Sequence, residues 1–313
     1  MSYSNLITPK PLVEGDTIAI LSPATSIKPE YIEGARSALE NQGFKVKVMP
    51  HAFGPSEGSY ASSEAERLED LISAFQEPEI RAILCARGGY GCAHLIDRIS
   101  AGLLENDPKW LIGFSDISVL HAMMRRASIR SIHSSMAKHL TLFPAEEECN
   151  AALLNILTGG RQLIYNVDPD SRDIVGEATG ELRGGNLAVL DGLVGTPYDI
   201  LLPREGEEVI LFIEDIGEAI YRTERMVRRL ALSGALSNYK GIIVGRFTES
   251  NPDRNYTSTA DMLRQRLPEW GAKDIPIAFN FPTGHTDRNL PIVEGSRATL
   301  TVTTQGTRLV QQF

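Results

Sequence analysis

Residues 17–24 read Thr-Ile-Ala-Ile-Leu-Ser-Pro-Ala, a short apolar run preceded by Gly15-Asp16 and closed by Pro23. Its length and its Ile residues fit a buried strand. Pro29-Glu30 then opens a stretch in which Ala35, Leu39 and Gly43 recur at helical spacing, so the chain begins as strand followed by helix. The pattern continues with KVKVMP at 45–50, a helix from about Ser62 to Phe75, AILCA at 82–86, a helix from about Tyr90 to Ile99, and WLIGFS at 110–115. Strands alternating with helices predict an α/β fold built on a parallel sheet covered on both faces.

The whole chain has 313 residues, enough for two domains that each bury a core. The first is expected over 1–150. Residues 151–179 hold a short apolar helix, Gly159-Gly160 and the polar run VDPDSRD, and read as a crossover. A second domain is expected over 180–313. It contains a turn at Gly184-Gly185-Asn186, a helix over Leu187 to Val194, the strand EVILFIED, a charged amphipathic helix from about Ala219 to Ser233, the strand GIIVGRF and the alternating tail ATLTVTTQ.

Composition removes several classes of function. Hydrophobic residues make up 42% and charged residues 23%, as in ordinary globular proteins. Lys and Arg number 31 against 40 Asp and Glu, a net charge of -9, which leaves no basic excess for a nucleic acid backbone. No stretch reaches the roughly 18 apolar residues of a membrane span, and the N-terminus lacks the basic and apolar regions of a signal peptide. Cys85, Cys92 and Cys149 are an odd number without zinc-ligand spacing, so neither a disulfide framework nor a structural metal is expected. A reducing, cytoplasmic setting is the expectation.

The segment Leu111-Ile112-Gly113-Phe114-Ser115-Asp116-Ile117 carries most of the chemistry. An apolar strand runs into Ser-Asp and at once into a helical pattern through Leu120, Met123 and Met124, the layout of a nucleophile elbow. Such a turn holds the serine Oγ out at the carboxyl edge of the sheet and aims the next amide, that of Asp116, at the oxyanion formed there. The competing reading is a Ser-Asp helix cap, and the second glycine of G-x-S-x-G is missing. Arg87-Gly88-Gly89-Tyr90-Gly91 follows the strand AILCA and offers bare amides to an anion. It lacks the Lys-Ser/Thr of a P-loop, and Gly88 or Gly89 could instead supply the second oxyanion donor.

A serine nucleophile needs a base, and His285 in Phe281-Pro282-Thr283-Gly284-His285 stands in a glycine-containing loop after the run IPIAFNF. His121, His133 and His139 read as structural or capping residues, although His133 could line the pocket. The base needs an orienting carboxylate, for which Glu214, Asp215 and Glu218 all compete after the strand VILFI. Cys92 is a weaker nucleophile candidate because it lies inside an expected helix. A non-catalytic protein that grips an anion with the Gly-Gly loop is the alternative from another functional class.

Six ordered segments, GDTIAILSPA, ILCARGGYG, LIGFSD, GELRGGNLAVLDGLVGTP, LFIEDIGE with the following YRTERM, and FPTGH, resemble the LD-carboxypeptidases of the S66 serine peptidase family across nearly the whole chain. The resemblance implies a Rossmann-like N-terminal domain, a smaller β-rich α/β C-terminal domain of swivelling type and an active site in the cleft between them. It implies a triad of Ser115, Glu214 and His285, with an oxyanion hole at Gly89 and Asp116 and Gly88 as the alternative donor. It also implies hydrolysis of the L,D bond between a diamino acid such as meso-diaminopimelate and the terminal D-alanine of a murein tetrapeptide, as in peptidoglycan recycling. No metal or cofactor is implied, and a homodimer is. Arg87, Arg183, Arg222 and Arg225 lie in or beside the matched segments and are candidates for the substrate carboxylate. The alternative within the family is a hydrolase of peptidyl-nucleotide antibiotics that confers microcin-type self-immunity, disfavoured because the only tryptophans, Trp110 and Trp270, lie outside the stretch from Gly180 to Glu214.

Overall fold

A computed structural model describes residues 6–54 and 58–313 of the chain. The first unit comprises 6–161 together with 290–292, and the second 162–289 with 293–313. In the first unit the elements run β1 (Thr17–Leu21), α1 (Pro29–Glu40), β2 (Lys45–Val48), α2 (Glu64–Gln76), β3 (Ile80–Cys85), α3 (Ala101–Asn106), β4 (Trp110–Gly113), α4 (Ser118–Arg126), β5 (Ser131–His133), α5 (Ala137–Leu142) and α6 (Glu148–Leu157). Ile18, Ile20 and Leu21 of β1 and Leu111 and Ile112 of β4 are all buried. A strand apolar on both faces needs cover on both sides, which is why these runs do not alternate. Ser63 starts α2 with a capping box shared with Glu66, satisfying two amides that the first helical turn would leave orphaned.

Neighbours in the sheet run β2-β1-β3-β4-β5, and each of these pairs is parallel. The chain leaves β1 toward β2 on one side and toward β3 on the other, so the order reverses between β1 and β3. Loops splay apart at such a switch point, and ligands of open α/β sheets bind outside the carboxyl ends of the strands there. The loop after β3 holds Gly88 and Gly89, and the loop after β4 holds Ser115.

The second unit contains β6 (Gln162–Val167), β7 (Gly176–Asn186), α7 (Leu187–Asp191), β8 (Val209–Ile216), α8 (Ile220–Leu232), β9 (Tyr239–Thr248), α9 (Thr259–Glu269) and β10 (Ile277–Ala278). After β11 (Ile292–Glu294), which lies beside β5 in the first sheet, β12 (Arg297–Thr303) and β13 (Gly306–Gln312) complete the second. Its order is β10-β9-β8-β7-β12-β13-β6, parallel from β10 to β7 and antiparallel from β7 to β6. Helix α8 buries Ile220, Thr223, Met226, Val227 and Leu230, the stripe a surface helix turns to its core.

Several local expectations change. The helix expected over Tyr90 to Ile99 is two short 3-10 turns, Cys92–His94 and Ile96–Arg98. Gly89 and Gly91 sit at φ of 111° and 131°, outside helical space, and the amide of Cys92 bonds to a side chain. Gly184 lies inside β7 rather than in a turn: a Cβ there would stand 1.7 Å from the carbonyl oxygen of Phe212, so glycine permits close approach of β8. The helix after it ends at Asp191. Within 151–179 the chain is not a plain crossover: Leu163 and Tyr165 are buried along β6, which pairs with β13. No helix among the described residues is long and apolar enough to cross a membrane.

Candidate active site

Ser115 departs from ordinary backbone geometry. Its φ is 66°, in the left-handed region that costs a non-glycine residue energy, at the end of β4 and the start of the turn Ser115–Ile117 that feeds α4. Strain of order 1–3 kcal/mol persists only where the surroundings enforce it, and a serine so placed is the hallmark of a nucleophile elbow. Gly113 before it has a hypothetical Cβ position 2.9 Å from Ile117, so a side chain there would block the turn. His121 props it from below: Nε2 lies 2.9 Å from the Gly113 carbonyl and Nδ1 2.8 Å from Ser131 Oγ. The carbonyl can only accept, so Nε2–H donates to it and Nδ1 accepts from the hydroxyl. Burial pushes the His121 pKa down to about 4, keeping the ring neutral in this role.

The loop after β3 meets this turn. A Cβ on Gly88 would stand 2.8 Å from Ser115 Cβ and 3.1 Å from its Oγ, and one on Gly89 would stand 2.1 Å from Thr25 Oγ1. Glycine at both places brings bare backbone up to the serine. The amide of Thr25 donates to the Gly88 carbonyl at 3.2 Å and the amide of Tyr90 to Thr25 Oγ1 at 3.2 Å, which pins the loop on either side of Gly89. The Asp116 side chain is buried and accepts the Cys92 amide at 2.9 Å, and burial raises its pKa. Cys92, which the sequence left as a rival nucleophile, is fully buried, and desolvation raises its pKa well above the ordinary range, which disfavours the thiolate.

In the second unit, Glu214 ends the apolar run of β8 and is 0% exposed. His285 Nδ1–H donates to its Oε2 at 2.7 Å, a short charge-assisted bond that assigns the basic lone pair of the ring to Nε2. Two glycines make the room. Cβ atoms at Gly245 and Gly284 would stand 3.2 Å and 2.7 Å from Glu214 Cβ, and Gly284 has φ of 107°. The loop is fixed by Arg246 N–H donating to the Thr283 carbonyl at 3.0 Å and by Gly284 N–H donating to Asn289 Oδ1 at 2.8 Å. Asn289 is a positioning residue that the sequence did not single out, since nothing in its neighbourhood marks it.

The two acids left open beside Glu214 have other duties. Asp215 accepts the Asn186 side-chain amide at 3.1 Å and the backbone amides of Ala188 and Ile216, each at 2.9 Å, tying α7 to β8, and burial pushes its pKa up to about 6. Glu218 faces Arg222 at 3.8 Å. The arginines are not gathered into one place. Arg183 is buried and held by Glu181 at 3.1 Å and Glu207 at 2.9 Å, which removes it from the substrate candidates. Arg87 is exposed and reaches the Ser26 carbonyl at 2.9 Å, while exposed Arg222 and Arg225 lie over the Tyr221 ring on α8.

A strained serine at the carboxyl edge of a parallel sheet and an imidazole held by a buried carboxylate are the equipment of a serine hydrolase. The profile described as LD-carboxypeptidase N-terminal domain matches residues 18–134, and that described as LD-carboxypeptidase C-terminal domain matches 179–300. A murein tetrapeptide carboxypeptidase of Pseudomonas aeruginosa is 33% identical over 93% of this chain and 94% of its own. A probable murein peptide carboxypeptidase of Bacillus subtilis is 31% identical over 93% and 91%. The crystal structure of a muramoyltetrapeptide carboxypeptidase from Oxalobacter formigenes superposes with a TM-score of 0.82 at 25% identity, covering 95% of this chain and 99% of its own. The chain therefore belongs to the S66 family of LD-carboxypeptidases and is a serine-type peptidase.

Proposed function

We propose that this enzyme removes the terminal D-alanine from murein tetrapeptides, cutting the bond that follows the L-centre of a diamino acid such as meso-diaminopimelate. Ser115 Oγ attacks the carbonyl carbon of that bond and its proton passes to His285 Nε2, while Glu214 stabilises the imidazolium through Nδ1. The amides of Gly89 and Asp116 receive the developing oxyanion. Collapse expels D-alanine, whose amine takes the proton from His285. Water then attacks the acyl-enzyme with the same histidine as base, releasing the tripeptide and restoring Ser115.

The observation that carries this reading is the φ of 66° at Ser115 beside a loop whose glycines leave no side chain over its Oγ. The names of the relatives support the murein substrate. The nucleotide-directed reading is less favoured, because Trp110 is buried in β4 and the Trp270 ring already has the Arg228 and Arg266 guanidinium groups over it at 5.1 and 5.2 Å, which would compete with a base. Three buried free cysteines agree with a reducing cytoplasm, and a homodimer is part of the proposal. Incubation with a tetrapeptide ending in diaminopimelyl-D-alanine, followed by mass spectrometry, tests the substrate. Loss of one alanine supports it. An intact tetrapeptide together with cleavage of an aminoacyl adenylate would replace it with the immunity reading.

A further inference from the structure

Arg67 on α2 is only 2% exposed, and its guanidinium goes to backbone carbonyls: Nη1 donates to Pro23 O at 2.6 Å and to Gly91 O at 3.1 Å, and Nε to Ser62 O at 3.2 Å. The Tyr60 ring lies beneath it at 4.8 Å. Burying a guanidinium is costly unless its donors are satisfied and put to use. Gly91 permits the contact, because a Cβ there would stand 2.7 Å from Nη1. The carbonyl of Gly91 and the amide of Cys92 belong to one peptide plane, and that amide donates to Asp116 Oδ2 at 2.9 Å. One peptide is thus held at its oxygen by a buried cation and at its nitrogen by a buried acid.

We propose that Arg67 and the carboxyl group of Asp116 are positioning residues, a clamp on the peptide joining Gly91 to Cys92 that fixes how far the Gly89 amide stands from the Asp116 amide. The inference rests on the serine mechanism proposed above. Asp116 contributes the acceptor of the clamp and one amide of the oxyanion hole, so loop and elbow share a single residue. Without the clamp, the two Thr25 bonds beside Gly89 are left to hold a loop that Gly89 and Gly91 restrict little, and the spacing of the two amides loosens.

The test uses the full chain with a diaminopimelyl-D-alanine tetrapeptide and compares Arg67→Met, Asp116→Ala and Asp116→Asn, with Ser115→Ala run alongside. An oxyanion contact forms only in the transition state, so Arg67→Met and Asp116→Ala are expected to lower kcat about 100-fold with KM within about threefold. Asparagine keeps an acceptor oxygen for the Cys92 amide, so Asp116→Asn is expected to recover at least about tenfold of what alanine loses. Should Arg67→Met not fold, Arg67→Lys, which keeps the charge but not the forked donors, carries the same kcat expectation, with faster hydrogen exchange at the Cys92 amide. A folded variant with kcat within about threefold of the parent overturns the clamp, as does an asparagine no better than alanine. Full activity in Ser115→Ala would instead overturn the serine mechanism, so the two failures are distinct.

Discussion

Alanine at Gly88 would crowd Ser115, the proposed nucleophile. Gly88 is absent from the residues with positive φ, so the backbone itself accepts a side chain. The new methyl would stand 2.8 Å from Ser115 Cβ, where ordinary contact begins at 3.4 Å. A displacement of ~0.6 Å is therefore needed, and it falls on the serine or on the loop bearing Gly89. A misplacement of about 1 Å in an active site costs around 100-fold, so ~0.6 Å is expected to lower kcat about tenfold to thirtyfold. Overpacking adds a stability cost of about 1–3 kcal/mol, small enough for the chain to remain folded. Steady-state release of D-alanine gives kcat, and thermal unfolding gives the stability. A kcat within twofold of the parent in a chain that still carries the methyl would refute the placement of Gly88 over Ser115.

Glu214→Gln keeps the shape of a fully buried side chain but can no longer hold His285 as an anion. By analogy with other serine triads kcat should fall on the order of 1,000- to 10,000-fold, and a loss below tenfold in steady-state assays would move the role to another acid. His121 predicts a pH effect on stability. Its pKa lies at about 4 in the folded chain against 6.5 for an ordinary histidine, so between those values the unfolded chain binds a proton that the folded chain refuses. Its contribution is whole above pH 6.5 and falls on acidification toward pH 4, by about 3 kcal/mol. Urea titrations at pH 7 and 5 should show the drop in the parent and a smaller one in His121→Gln; equal drops would contradict it.

Much of the fold was legible because parallel strands advertise themselves. The runs at 17–24, 82–86 and 110–115 are apolar without alternation, and a Gly, Pro or Ser that turns the chain lies in or within two residues of the end of each. The Ser-Asp after LIGF gave the elbow, yet its defining property, the left-handed φ of Ser115, is enforced by Gly113, Ile117 and His121 and is invisible in order alone. The short strand β5 left no signal, since three residues cannot show a period, whereas β10 falls within the strand-like run IPIAFNF. Spacing alone left the acid open between Glu214 and Asp215 and only the resemblance implied Glu214; in the structure Glu214 meets His285 while Asp215 accepts the Ala188 amide of α7. Arg67 was silent for a related reason: its partners are carbonyls of residues 23, 62 and 91, and a carbonyl carries no residue identity.

The proposed mechanism requires a covalent acyl-enzyme on Ser115. Acid quenching during turnover of the diaminopimelyl-D-alanine tetrapeptide, followed by intact-protein and peptide mass spectrometry, tests it most directly. An added mass equal to the tripeptide less one water is expected, mapped to the peptide containing Ser115 and missing from Ser115→Ala. An adduct on another residue, or full turnover by Ser115→Ala, would contradict it.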